Sequence, residues 1–533
     1  LLFQGNTIFL ILFFLTSSIT AQVLDEENLK TWWRKDLEKD SIPGIGLERT
    51  YKELIKDLVG QEVVVAVLDT KIDMLHEDLQ ESFWVNIDEI PGNGIDDDHN
   101  GYIDDVNGWN FLGNRKGEDL FHQSVEPTRI VRRYKSRYAS IMDEKEIPNQ
   151  EKDQYYTFLK AHKTLNNELA DLKSYIKEAD SVNALYYKAK DTIPYFTKNE
   201  NYSVETIDSL IIQFPEMEKY FKWLGIGLRY GITEQDFIDQ QDYFKSQLKA
   251  LDVDDDARKM LDENPEDIDD AYYGNPILIN NELKFQHSTG VTGLIAASRN
   301  NGLGIKGISN NIKIMPVVMV ADGDEYDKDV ALAIRYAVDN GAKVINMSWG
   351  KYFSSHSDWV RDAFRYAAVH DVLLVSSSGN GNKNIDIELN YPNDEIGGEE
   401  FVDNFLSVGA ITSSMDSTIV ASFSNYGKRT VDVFAPGEKI YTTEVKSVYQ
   451  FSEGTSYASP IVAGTAALLK SYFPHLSASE LKTIILESGT KLSLMVKKPG
   501  DDSAPLVPFD SLSKTGSIIN IYQAFQKVMK VSR

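Results

Sequence analysis

The 533-residue chain has no cysteine. Disulfides, thiolate nucleophiles, Cys-ligated zinc, iron–sulfur clusters and a lipid-modified N-terminal cysteine are all excluded. Positive charge is also scarce. Lys and Arg number 55 against 81 Asp and Glu, a formal net charge of −26. That balance argues against nucleic acid, whose phosphates demand Lys/Arg surfaces, and against anionic membrane surfaces. It favours solubility and cation binding without naming a substrate. Long apolar runs are lacking too. The run at residues 8–15, IFLILFFL, is too short to span a bilayer, which takes about 20 apolar residues. With TSSITAQ behind it, the run reads as an export signal over residues 1–21, cleaved after Ala21. A buried strand or helix is the alternative, but nothing before it could pack there. No initiator Met or basic stretch precedes the run, and LLFQG reads as an expression scar or a truncated start. The expectation is an exported protein, periplasmic or extracellular, that does not span a membrane.

What is present suits a folded chain. Apolar residues make up 42% and aromatics 11%, as in globular rather than disordered proteins. The length allows two or three domains. Residues 62–70, EVVVAVLDT, form a continuous β-branched run, the pattern of a parallel strand buried on both faces. Similar runs recur at 312–320, 343–347, 372–376 and 405–410, with helical patterns at 329–340 and 357–370 between them. Strands alternating with helices predict an α/β fold with a parallel sheet. The texture changes between about 115 and 274. Charged stretches of helical period, such as KAHKTLNNELADLKSYIKEADSVNALYYKAK, replace the β-branched runs. An all-helical insertion is expected there, splitting one domain into 22–114 and 275–533. Its Tyr, Phe and Leu positions are either its own core or a surface for a protein partner; core has the better base rate.

Four short stretches carry candidate chemistry, and each also has an ordinary reading. Asp69 ends the first buried run, at the sheet edge where sites form in open α/β folds; it could equally be a turn or N-cap aspartate. Ser456, in FSEGTSYASPIVAG, opens an apolar helix. Backbone N–H groups and the helix dipole there favour a developing oxyanion, though an N-cap serine fits as well. Ala458 stands where an α/β-hydrolase elbow needs its second glycine. His287, in HSTGVTGLIAA, starts another small-residue helix and could be merely a packed ring. Asn380, in VSSSGNGN, follows a strand and could be a turn residue in a left-handed conformation.

Their order is more telling than any one of them. Strand-end Asp, helix-starting His, strand-end Asn and helix-starting Ser follow in turn. The chain resembles the subtilisin-like serine proteases, or subtilases. The resemblance rests on VAVLDT around Asp69, HSTGVTGLIAA around His287, VINMSWG at 344–350, SSGNGN around Asn380, SFSNYG at 422–427, VFAPG at 433–437 and GTSYASPIVAG around Ser456. It covers about 32–114 and 274 to near the C-terminus. It implies a three-layer fold with a mostly parallel central sheet, and an endopeptidase acting on protein or peptide substrates. Ser456 would be the nucleophile, His287 the base and then acid, and Asp69 its support. The Asn380 side chain and the Ser456 N–H would hold the oxyanion. Ser348, Trp349 and Gly350 would pair with an extended substrate, and Ser378 and Gly379 would form a second wall of the pocket. The sequence departs from the family pattern at Lys71, Ser288, Gly290, Glu453 and Tyr457. These changes touch rate and specificity more than reaction class, and leave a catalytically weak or inactive peptide-binding scaffold as the alternative.

Residues 96–107, DDDHNGYIDDVN, read as a calcium loop. Asp96, Asp98, Asn100, the Tyr102 carbonyl and Asp104 fall at positions 1, 3, 5, 7 and 9, but Asn107 replaces the bidentate Glu. A solvated acidic turn is the alternative. Asp78 and RNNGLGI at 299–305 resemble parts of another family calcium site. Residues 31–54 read as the start of the catalytic domain itself, so no separate propeptide is expected. The position of the insertion between Asp69 and His287 also suggests a gate over the cleft.

Overall fold

The computed structural model describes residues 24–141, 143–197, 202–279, 287–501 and 503–531. The expected export signal lies outside them. The chain divides into a unit of residues 122–256 and a unit made of 24–121 with the residues from 257 onward.

The second unit holds the β-branched runs. Apart from two short two-stranded ribbons, its strands are β1 (Val63–Asp69), β2 (Trp109–Asn110), β3 (Ile312–Val318), β4 (Val344–Met347), β5 (Leu373–Ser377), β6 (Phe405–Ile411), β7 (Val433–Pro436), β8 (Ile440–Glu444), β9 (Val448–Ser452), β10 (Thr490–Lys491) and β11 (Ser517–Ile518). Nine of them form one sheet in the order β10-β11-β7-β6-β5-β4-β1-β3-β2. Every neighbouring pair is parallel except β10 with β11 at the edge. β8 and β9 form a separate antiparallel hairpin.

Side chains alternate across a strand, and the runs use both faces. From β1, Val63, Val65 and Val67 enter one core, while Ala66 and Leu68 enter the other. Helices α1 (His287–Ala296) and α4 (Thr455–Tyr472) fill the first core through Val291, Leu294, Ile461, Leu468 and Leu469. Helices α2 (Asp327–Asp339) and α3 (Ser357–Val369) fill the second through Val330, Ile334, Ala363 and Phe364. The result is the expected α/β fold in three layers. Each fully buried Leu, Ile or Val contributes about 1.5–3 kcal/mol, which is why these runs tolerate so little polarity. Trp32, Trp33, Ile45 and Leu47 also lie in the first core. The parallel strands bring Asp69, Ser348 and Ser378 to one edge of the sheet, the carboxyl ends where ligands bind in such folds.

Among the described residues of the other unit there are only helices. They span Glu126–Tyr138, Lys152–Thr197, Val204–Gln213, Glu218–Tyr230 and Glu234–Ala250. The 46-residue member would be about 70 Å long at 1.5 Å per residue. It buries Tyr186, Ala189 and Ile193 near one end with Ile207, Leu210, Phe221 and Phe237, and Tyr155 and Phe158 near the other against Tyr138. The helical unit is narrower than the expected 115–274. Residues 115–121 and 257–274 pack on the α/β unit instead. Arg258 is buried there, donating to Asp329 of α2 at 2.6 and 2.7 Å. Asn110 and Asn275 pair as an antiparallel bridge.

Candidate active site

Asp69 closes β1 and is only 1% exposed. His287 opens α1, and its Nδ1 lies 2.9 and 3.0 Å from the two Asp69 carboxylate oxygens. The Thr70 N–H also donates to Asp69, at 2.7 Å. A carboxylate on Nδ1 fixes that nitrogen as the protonated one and leaves Nε2 as an acceptor. Among the described residues Nε2 has no hydrogen-bond partner.

The first turn of α1 is held from two sides. Thr442 Oγ1 donates to the Gly290 carbonyl and Thr443 Oγ1 to the Thr289 carbonyl, both at 2.7 Å. A methyl group on Gly293 would come within 2.1 Å of Thr443 Oγ1, so the hairpin approaches this closely only over glycine. On the other side, Ser288 N donates to Thr70 Oγ1 at 3.2 Å and Ser288 Oγ to the Lys71 carbonyl at 2.6 Å. Two positions that depart from the family pattern are therefore bonded to each other. The Lys71 ammonium is directed to Asp119, 2.6 Å away; burial lowers its pKa and Asp119 opposes the shift. The Tyr457 ring meets the His287 ring edge-on at 5.4 Å. Burial pushes the Tyr457 hydroxyl up to about 12, so it stays neutral.

Ser456 is the second residue of α4 and 9% exposed. Thr455 donates from both N (2.8 Å) and Oγ1 (2.9 Å) to Asn380 Oδ1. That fixes the carboxamide, with Nδ2 turned toward the serine. Gly454 has φ +142°, a conformation side chains rarely adopt, and a methyl group on it would lie 2.8 Å from Ser456 Oγ, 3.5 Å from Asn380 Nδ2 and 3.6 Å from Ser456 N. One small space is thus bordered by a hydroxyl and two N–H donors at a helix N-terminus, where the dipole favours negative charge. A polar ladder holds the helix to β4: Ser459 Oγ to Asn346 Oδ1 at 2.8 Å, Asn346 Nδ2 to Ser348 Oγ at 2.9 Å, and Ser348 Oγ to the Ser456 carbonyl at 2.8 Å.

The residues expected as substrate walls are bonded to the start of α4, Ser348 through Ser456 and Gly379 through Thr455. Trp349 is anchored by Nε1 on the Leu68 carbonyl at 2.7 Å, and its own carbonyl accepts from Ser377 Oγ at 3.3 Å. Gly350 is exposed. Gly379 N donates to Thr455 Oγ1 at 3.1 Å, and Asn425 Nδ2 donates to the Ser378 carbonyl at 2.8 Å. Thr455, Asn425, Asn346 and Ser459 were not singled out from sequence, although Thr455, Ser459, Asn346 and Asn425 all lie inside the quoted motifs. Nothing local tells which of these small polar side chains faces inward.

The acidic loop is divided. Carboxylate oxygens of Glu89, Asp96 and Asp98 lie within 4.8 Å of one another. Glu89 was not among the expected ligands; it lies upstream of the loop. Asn100 donates from N to Asp96 and Asp98, both at 3.0 Å. Asp104 is not in the cluster: its φ is +58° and its carboxylate accepts from Asn93 N and Gly94 N at 3.1 and 3.0 Å. The Tyr102 ring is buried against Trp109 and Tyr336. Asp105 is buried beneath the loop, and burial pushes its carboxyl up to about 6. At the other acidic position, Asp78 accepts from Asn301 Nδ2 at 2.7 Å and Ile305 N at 3.0 Å.

Comparison with known proteins adds a family. The model described as "Subtilase family" matches residues 60–504. The Cell wall-associated protease of Bacillus subtilis (strain 168) is 36% identical over 225 residues, 42% of this chain and 23% of that protein. The Thermophilic serine proteinase of Bacillus sp. (strain AK1) is 38% identical over 206 residues, 38% of this chain and 45% of its own length. Subtilisin DY of Bacillus licheniformis is 33% identical over 208 residues, 39% of this chain and 71% of that protein. The chain thus spans less than half the length of the first two.

Proposed function

The chain belongs to the subtilase family, and from that premise we propose that it is a serine endopeptidase acting through Ser456, His287 and Asp69. A free serine hydroxyl is a weak nucleophile at neutral pH and needs a base. His287 Nε2 takes the Ser456 proton as Oγ attacks the peptide carbonyl. Asp69 stabilises the imidazolium that forms, without taking its proton. Asn380 Nδ2 and the Ser456 N–H hold the oxyanion of the tetrahedral intermediate. The imidazolium then protonates the leaving amine, and water repeats the sequence on the acyl-enzyme. Ser348, Trp349 and Gly350 supply an edge for an extended peptide, and Ser378 and Gly379 the facing wall. The observation that carries this reading is the space beside Gly454, bordered at once by the Ser456 hydroxyl, the Ser456 N–H and the Asn380 amide.

The family departures fit this reading, because the Ser288 hydroxyl is satisfied by the backbone carbonyl of residue 71 and the Lys71 charge is taken up by Asp119. The acidic loop is read as a calcium site held by Glu89, Asp96 and Asp98, whose hard carboxylate oxygens suit that ion. Calcium there would neutralise three clustered anions and take no part in the chemistry. The segment IFLILFFL supports export, and no helix among the described residues is long and apolar enough to cross a membrane.

One experiment tests activity and export together. Cells expressing the chain are fractionated and the exported fraction is treated with a fluorophosphonate probe. Labelling of the wild type is expected there, with none for Ser456→Ala and a fall in peptide hydrolysis of at least about a thousandfold. Labelling confined to the cytoplasm would sink export alone. A wild type without labelling or hydrolysis would leave the peptide-binding scaffold as the better reading.

A further inference from the structure

Lys71 stands two residues after Asp69, and its two ends make different contacts. Its carbonyl accepts from Ser288 Oγ at 2.6 Å and from Thr70 Oγ1 at 3.1 Å, and so meets the helical turn that begins with His287. Its side chain is 6% exposed and reaches Asp119 Oδ2 at 2.6 Å. Among the described residues Asp119 is the one acidic group its ammonium pairs with. Lys71 and Ser288 both depart from the family pattern, so this link belongs to this chain.

Asp119 is part of a second set of bonds. Its other oxygen accepts from Asn110 Nδ2 at 2.9 Å. Asn110 and Asn275 exchange backbone hydrogen bonds, both at 3.0 Å, and Asn110 Nδ2 also donates to Asn275 Oδ1 at 3.2 Å. Asn275 Nδ2 donates to the Asn114 carbonyl at 3.0 Å, and Asn114 Nδ2 to the Met260 carbonyl at 3.1 Å. All three asparagines are buried. A methyl group on Gly113 would lie 2.0 Å from Asn275 Nδ2, so the two segments close on each other only over glycine. The chain leaves for the helical unit after Phe121 and returns at Ala257. These amides therefore clasp the outgoing segment to the returning one, within the α/β unit.

Residues 70–73 form a narrow strip between the clasp and α1. Ile72 N donates to the Leu278 carbonyl at 3.2 Å on one side, and Asp73 N to Thr289 Oγ1 at 3.0 Å on the other. Removing one partner of a buried ion pair strands the other charge, so Lys71 and Asp119 hold each other in place. The Lys71 carbonyl is anchored with them, and the Ser288 hydroxyl hangs on it. Proton transfer from Ser456 needs Nε2 within about 2.6–3.2 Å, and a misplacement of about 1 Å can cost a factor of about 100. We propose that Lys71 is a positioning residue for His287. Its ion pair with Asp119 fixes the carbonyl that holds Ser288, and so makes the reactivity of the histidine depend on the clasp at the two points where the chain leaves and re-enters the α/β unit. This rests on the endopeptidase reading and adds to it a route by which the ends of the insertion bear on catalysis.

The test uses the full chain and reads the second-order rate constant of fluorophosphonate labelling, together with kcat and KM on one peptide. A labelling rate constant belongs to the molecules that react and does not depend on the fraction folded. Lys71→Met alone strands the Asp119 carboxylate, so the main variant combines Lys71→Met with Asp119→Asn. It leaves no unpaired charge and keeps an acceptor for Asn110. Its labelling rate constant and its kcat are each expected to fall about tenfold, with KM within about twofold of wild type. Ser288→Ala should fall to the same degree, and the three substitutions together no more than about twofold further, because all act along one path. Asn110→Ala removes the clasp amide without touching the ion pair, and should lower the same two parameters. Wild-type rates, within about twofold, in the neutral pair, in Ser288→Ala or in Asn110→Ala would overturn the proposal. A loss confined to KM, or a triple variant whose losses multiply, would do so too. Each of these results with a wild type that labels sinks the role of Lys71 alone. Wild type that neither labels nor cleaves sinks the endopeptidase reading, and this one with it.

Discussion

On the proposed reading, Asn380 divides one carboxamide between two tasks. Its Oδ1 is fixed by two bonds from Thr455, so Nδ2 is aimed before any substrate arrives. Donors already in place cost no reorganisation in the transition state, which is where such groups have most effect. Asn380→Ala should therefore lower kcat by roughly 10²–10³ and leave KM nearly unchanged, because the lost bond is made only to the developing oxyanion. Thr455→Val, which keeps Asn380 but loosens it, should give a smaller fall in the same parameter. Steady-state kinetics on a short peptide checks both; a loss expressed mainly in KM would place Asn380 in ground-state binding instead. The partners explain why sequence could name Asn380 but not Thr455. His287, Asp69, Asn380 and Ser456 were singled out because four ambiguous residues fell in a telling order. The role of Thr455 depends on which way a side chain turns.

Secondary elements were legible where one physical signal dominated. The β-branched runs became central parallel strands within a residue or two of their expected ends, since burial on both faces leaves no polar position to blur the pattern. Residues 257–274 were misassigned to the helical insertion because they too lack β-branched runs. They are a strap held by buried charge, Arg258 against Asp329 and Glu263 against Lys328, and ion pairs across 71 and 65 positions leave no periodicity. The acidic loop gathers two of its five expected ligands with one that was not expected. Spacing named Asp96 and Asp98, while Glu89 comes from the preceding turn and Asp104 is spent on capping Asn93 and Gly94. Three carboxylates this close repel unless a cation joins them. Millimolar calcium should raise the melting temperature of wild type by a few degrees, since ligand at a hundred times its Kd adds about 2.7 kcal/mol. Asp98→Asn should abolish most of that rise. Identical melting curves for wild type in calcium and in chelator would remove the loop from the list of calcium sites.

At the scale of the whole molecule, a half-buried charge cluster joins distant parts of the chain. Lys482 lies 2.9 Å from Glu400 and 3.7 Å from Asp394, and Lys514 lies 3.8 Å from Asp432 and also bonds to Glu400. Three carboxylates thus face two ammonium groups; Asp394 and Asp432 sit out of water, while Glu400 and Lys514 reach it. Glu400 is held below its usual value by Lys514 and Lys482 although burial opposes this. Asp394 takes the proton instead: burial, with Asp432 and Glu400 nearby, pushes it up to about 7. The sign follows from linkage. An unfolded Asp titrates near 3.9, so the folded chain keeps a proton that the unfolded chain gives up. The resulting stabilisation is complete below about pH 4 and is lost as pH rises through about 7. Asp394→Asn holds a neutral amide at every pH and should remove this dependence. Between pH 5 and 8, wild type should lose roughly 1–3 kcal/mol relative to the variant. Urea unfolding of both proteins at the two pH values measures that difference directly. If wild type and variant kept the same stability gap at pH 5 and 8, Asp394 would have to be ionised throughout, and the surplus charge would have to be neutralised by some other group.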